Sequence, residues 1–209
     1  MSRSPMSLAL AATACGAFLL AGCTGGVTPS GQPDASAAAP ASTATATTAT
    51  ATTATRVSAN DADVMFTQMM IPHHEQAVEM SDILLAKPGL STEMTDLATA
   101  IRDAQQPEID QMRGWLQAWG EPEGGQHGGH AGMQGMLTEA ELGQLRSADT
   151  LAASGLFLDQ MIAHHEGAVA MAEQVLADGA DPAVRQLAQD VVSSQREEIE
   201  LMRELRVGF

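Results

Sequence analysis

The segment Met70-Ile71-Pro72-His73-His74-Glu75 returns ninety-one residues later as Met161-Ile162-Ala163-His164-His165-Glu166. Each copy is followed by a small residue, a valine and a methionine: Ala77, Val78 and Met80, then Ala168, Val169 and Met171. Four of the six histidines therefore occupy two equivalent places, each with thioethers and a carboxylate beside it. Imidazole and thioether together are the donors that a soft or borderline metal ion seeks. The duplication predicts two metal sites in one domain. The competing reading is a buried network of histidine, glutamate and glutamine that specifies the fold and binds nothing.

A second repeat accompanies the first. Gln105, Glu108, Ile109 and Met112 match Gln195, Glu198, Ile199 and Met202 at an offset of ninety. At 100° per residue, Phe66, Met69, Met70, Ala77, Met80 and Leu84 share a helical stripe with His73, and His74 falls at its margin. His164 shares its stripe with Phe157, Met161, Ala168, Met171 and Val175. Polar groups on an apolar stripe need partners. Gln105 and Glu108 are therefore expected to turn towards His73, and Gln195 and Glu198 towards His164. A carboxylate there would orient the ring and raise its basicity. Ala163 stands where the first copy has Pro72, so the two sites should differ.

A third candidate is the run Gln126-His127-Gly128-Gly129-His130-Ala131-Gly132-Met133-Gln134-Gly135-Met136. His127, His130, Met133 and Met136 recur at every third position among small residues, a composition suited to metal capture. A glycine linker with incidental histidines is the alternative.

The elements that must position these residues are helical. Asn60 to Asp63 form a helix start, and that helix should run to about Ala86, before Lys87-Pro88-Gly89. Ser91 or Thr92 opens a second helix through Trp119, ended by Gly120. Thr138 and Glu141 form a capping box for a short helix. A long helix over 150–178 follows. Asp181-Pro182 then starts the last one, which runs nearly to the C-terminus. No stretch alternates as a strand would. The chain is thus read as all-α, two tandem helical hairpins (57–119 and 138–209, joined by the loop 120–137) packed as a four-helix bundle. Eleven of the 13 methionines lie in this domain, and aromatics are only 3% of the chain, so the core should be soft and polarisable.

The N-terminal region points to export. Arg3 and the apolar Leu8 to Leu20 resemble a leader over 1–22, too short to span a bilayer. Leu20-Ala21-Gly22-Cys23 reads as a lipobox, so Cys23 is the expected lipidation site and membrane anchor. Residues 23–56, dominated by Ala, Thr, Ser, Pro and Gly, read as a flexible tether. The only other cysteine, Cys15, lies in the leader, so neither a disulfide nor a thiolate ligand is expected. Losing Arg3 leaves nine basic residues against 26 acidic ones. Such a surface attracts cations and repels nucleic acid.

The two Met-Ile-x-His-His-Glu segments, each followed by Gln-x-x-Glu-Ile-x-x-Met, resemble the bacterial "domain of unknown function 305" family over about 60–206. That resemblance implies an exported, ferritin-like helical bundle, with some relatives linked to copper. Its characteristic positions here are Met70, His73, His74 and Met80, then Met161, His164, His165 and Met171. Ala163 departs from the family's usual proline.

These readings converge on a surface-anchored lipoprotein that sequesters or hands on copper, as Cu(I) or Cu(II), with zinc the second choice of metal. A metal-free interaction module is the alternative. Enzymatic activity is not expected. Ferritin-like di-iron sites use Glu-x-x-His pairs, which this domain lacks, and no serine flanks either histidine pair.

Overall fold

The computed structural model describes residues 59–124 and 133–209. The leader over 1–22, Cys23 with its tether, and the loop histidines His127 and His130 lie outside the described residues.

Five helices follow in order: α1 (Asp61–Leu85), α2 (Thr92–Trp119), the short α3 (Glu139–Ser147), α4 (Thr150–Asp178) and α5 (Pro182–Arg206). Each begins where a side chain can accept the orphan amides of a first turn. Asn60 with Asp63, and Thr138 with Glu141, form reciprocal capping boxes. Ser91, Asp149 and Asp181 cap the other three. Gly120 ends α2 at φ 79°, a left-handed conformation that favours glycine. Among the described residues there is no strand. The helices α1 and α2 run on through Pro72 and Pro107, so neither proline ends its helix. No helix is long and apolar enough to cross a membrane, among those described.

Two apolar clusters make the core. One gathers Met80, Leu84, Met94, Ile101, Leu142, Leu145, Phe157, Met161 and Met202. The other gathers Phe66, Met70, Met112, Leu116, Ala172, Val175, Val184 and Val191. The early residues of α1 and the late residues of α4 share the second cluster, and the reverse holds for the first. The helices α1 and α4 therefore run antiparallel. They form the inner pair, each packed also against its own hairpin mate, α2 or α5. Neither hairpin buries its stripe alone, because both clusters draw on both hairpins.

Asp63 joins the hairpins at one end. It is fully buried, and its Oδ2 accepts the amides of Asn60 at 2.8 Å and of Ala180 and Asp181 at 3.0 Å each. The carboxylate that caps α1 thus also holds the α4–α5 turn.

Candidate metal centre

His73 and His164 sit at the midpoints of α1 and α4, in the polar layer between the apolar clusters. The antiparallel arrangement brings them together, with ring centroids 3.7 Å apart and planes tilted by 37°. Two separate sites were expected from the repeat. The structure instead joins the two copies at one centre, since residues on facing helices beside a local two-fold axis meet their own equivalents.

The flanking histidines are also fully buried, so His74 is not at the margin of its stripe. The wheel assumes one straight partner surface, whereas α1 packs on both α2 and α4 and buries a wider arc. His74 Nε2 lies 2.7 Å from Glu108 Oε2, and His165 Nε2 lies 2.7 Å from Glu198 Oε2. The glutamates therefore turn to the second histidine of each pair, not to His73 and His164. The 100° step from His73 to His74 points the latter towards the hairpin mate and the former towards the other hairpin. Glu75 and Glu166, the carboxylates inside the motif, face outward and pair with Arg113 and Arg203.

What remains inside is a set of polar atoms with unused lone pairs or N–H groups. In neutral rings, His74 and His165 donate through Nε2–H and leave a lone pair on Nδ1. His73 donates Nε2–H to the carbonyl of Gln134 at 3.3 Å and does the same. The Nδ1 atoms of His73, His74 and His165, both nitrogens of His164, and Oε1 of Gln105 and Gln195 are all buried without a hydrogen-bond partner. Gln105 and Gln195 do not reach His73 or His164 through a hydrogen bond involving those oxygens. Buried polar atoms without partners are costly in a finished core, and a cation is one group that would satisfy the lone pairs among them.

Proton competition at the centre is weak. Burial, reinforced by neighbouring His74, pulls His73 down from 6.5 to about 3. Burial likewise holds His164 well below its ordinary value, with His73 the next cause. Both rings are neutral at physiological pH, the form that ligates a metal. Among the described residues no three His, Cys, Asp or Glu side chains converge as a ready-made ligand set. Tetrahedral zinc coordination by these groups is therefore not preformed. Two imidazoles with thioethers in the adjoining clusters fit a soft ion of low coordination number better. Met70 and Met112 lie in one cluster, Met80, Met161 and Met202 in the other. Met171 departs from its expected place. It is only partly buried and faces an open cleft with residues of α1.

A short backbone strap covers the centre. Gln134 supplies the carbonyl over His73, while Gln76 clamps Leu137 from both sides, accepting its amide at 2.6 Å and donating to its carbonyl at 3.0 Å. Gly135, at φ 85°, lets the strap turn tightly. A Cβ on Gly135 would stand 2.8 Å from His164 Cα, and one on Gly167 would stand 1.9 Å from the Gln134 carbonyl oxygen. Met133 and Met136, two of the four loop candidates, are carried on this strap half-buried. Gln76 and Gly167 were absent from the sequence reading, and Gln134 stood in it only as part of the loop run. A glycine in mid-helix, where the first copy has Gln76, was the available signal.

Gly167→Ala should therefore lift the strap. Overpacking of this kind costs roughly 1–3 kcal/mol, which raises the open population on the order of ten- to hundredfold. Faster amide exchange over 133–137, with the helices still protected, is the expected result. Unchanged exchange would show that the strap tolerates the methyl.

Comparison with known proteins places the fold. No curated protein sequence matches the chain. A family model, "Domain of unknown function (DUF305)", matches residues 63–206. A DUF305 fragment from Deinococcus radiodurans is 36% identical, with a TM-score of 0.66 over 72% of this chain and 99% of its own. A DUF305 protein of Streptomyces coelicolor described as secreted is 34% identical, with a TM-score of 0.63 over 69% and 91%. CopM in its Cu(II)-bound form is 32% identical, with a TM-score of 0.60 over 70% and 96%, and CopM is also known in Cu(I)- and silver-bound forms. The match spans both hairpins and the histidine layer between them, and the chain belongs to the DUF305 family.

Proposed function

We propose that this protein binds copper outside the cytoplasm and sequesters it or hands it on, without turning over a substrate. The observation that carries this reading is the buried layer of unpartnered, neutral imidazole nitrogens at the junction of α1 and α4. The ligands would come from His73 and His164, with the thioethers of Met70 and Met161 one turn before each pair and His74 and His165 flanking them. Gln105 and Gln195 could complete the set, and Glu108 and Glu198 orient the outer rings. The similarity to CopM, solved with copper and silver, supports the choice of metal over zinc. Competitive titration of the mature chain, purified without an affinity tag, against Cu(I), Cu(II) and Zn(II) tests it. Tight copper binding is expected. Stoichiometry near zero for all three ions would leave the bundle as a metal-free interaction module.

The proposal includes a lipid anchor at Cys23, with the residues up to 56 as tether and the strongly acidic domain facing the cations outside. Cys23→Ser should move the protein from membranes to the soluble fraction, because bacterial lipoproteins hold by more than one acyl chain at that residue and a single chain anchors only marginally. Membrane association unchanged by the substitution would defeat this part.

A further inference from the structure

A small open cleft of about 50 Å³ lies between α1 and α4, lined by Ala62, Met65, Phe66, Met69, Met171 and Val175 with Gln174. Met65 is 41% exposed, and Met69 and Met171 are only partly buried. The repeat supplies a control within the same molecule. At the offset of ninety-one, Met65, Met69 and Met171 correspond to Leu156, Gln160 and Met80. That equivalent groove is covered at its Met80 end. The helix α3 lays Leu142 and Leu145 into the cluster that holds Met80 and Phe157, and Met80 is fully buried. The uncovered groove is thus the one whose two α1 positions both carry thioethers.

We propose that this cleft is a separate binding site for a soft monovalent cation, Cu(I), held by the thioethers of Met65, Met69 and Met171. Met65 and Met69 are one helical turn apart on α1 and Met171 faces them from α4. Their flexible side chains can converge without moving the backbone. Among the described residues no carboxylate, imidazole or amine lines the cleft, so its donors favour Cu(I) over Cu(II) or zinc. The acidic surface of the chain raises the local concentration of cations, and a site open to solvent can exchange an ion without unfolding. The cleft shares no ligand with the histidine centre as proposed above and stands or falls apart from it.

Silver(I), a redox-inert stand-in for Cu(I), is the probe. The mature chain carrying 13C-methyl methionine is titrated with Ag(I) and followed by the methionine methyl resonances. The methyl signals of Met65, Met69 and Met171 should shift together. They should still do so in the double variant His73→Leu/His164→Leu, which isolates the cleft from the histidines. Met65→Leu/Met69→Leu/Met171→Leu should bind one silver ion fewer per chain while Cu(II) binding is unchanged. Should that triple variant fold poorly, Met65→Leu alone, at an exposed position, should weaken the cleft at least about tenfold, equivalent to 1.4 kcal/mol. Unshifted signals, or full silver stoichiometry in the folded triple variant, would overturn the proposal. So would shifts that vanish in the histidine variant. Signals that move with protein concentration and not with silver would overturn it in favour of a self-association face.

Discussion

Replacing both His73 and His164 with leucine should abolish tight copper binding at the buried centre while leaving the apo bundle folded. The expectation rests on what the two rings do without metal. His164 makes no hydrogen bond to another side chain, its polar contact being with the His73 backbone, and His73 makes one, to a strap carbonyl. Glu108 and Glu198 keep their partners, because those are His74 and His165. Leucine is apolar and of roughly similar bulk, so apo stability should hold or rise. Copper at a hundredfold excess over Kd stabilises a native protein by about 2.7 kcal/mol. In a domain of this size that is about 5–10 °C in Tm. The wild type should show this rise and the double variant should lose most of it. Equal copper-dependent shifts in both would make the two histidines structural and place the ion elsewhere.

The same pair should make the metal-free protein sensitive to mild acid. An unfolded chain protonates histidine near pH 6.5, whereas His73 in the fold resists protonation down to about pH 3. Between those values the unfolded state binds more protons, so stability falls as pH falls. The contribution is complete above pH 6.5 and lost progressively towards pH 3. For His73 alone the slope approaches about 1.4 kcal/mol per pH unit below pH 6, or about 2 kcal/mol between pH 6.5 and 4.5. His164 adds to it in the same direction. Urea unfolding at several pH values should show this slope in the wild type and a much flatter profile in His73→Leu/His164→Leu. Parallel profiles would mean that both rings are protonated in the folded protein or reachable by solvent.

Much of the architecture was legible because the signals were local. Asn60, Ser91, Thr138, Asp149 and Asp181 mark helix starts by hydrogen bonds within three residues, and Gly120 marks an end by its backbone conformation. The repeats located the histidine layer for the same reason. What stayed hidden depends on how helices rotate against one another. A wheel places His73 and His74 100° apart, but the position of α2 relative to α4 decides which of them meets Glu108. The meeting of His73 with His164 required knowing that α1 and α4 run antiparallel. The strap rests on Gly135 and Gly167 close in space but thirty-two residues apart in sequence, a contact no local pattern encodes. Met171 matched Met80 in sequence and differs in setting because α3 covers only one of the two grooves.

The contact between His73 and His164 also carries a record of ancestry. Two equivalent residues that touch across antiparallel equivalent helices stand as they would in a dimer of identical hairpins, where a ring beside the dyad meets its own copy. In such an ancestor one codon specified both partners, and any change there struck the centre twice. In a single chain that constraint is absent, and the two halves differ: Pro72 against Ala163, Gln76 against Gly167, and a third helix laid over one groove and not the other. The outcome is a symmetric pair of histidines under an asymmetric cover.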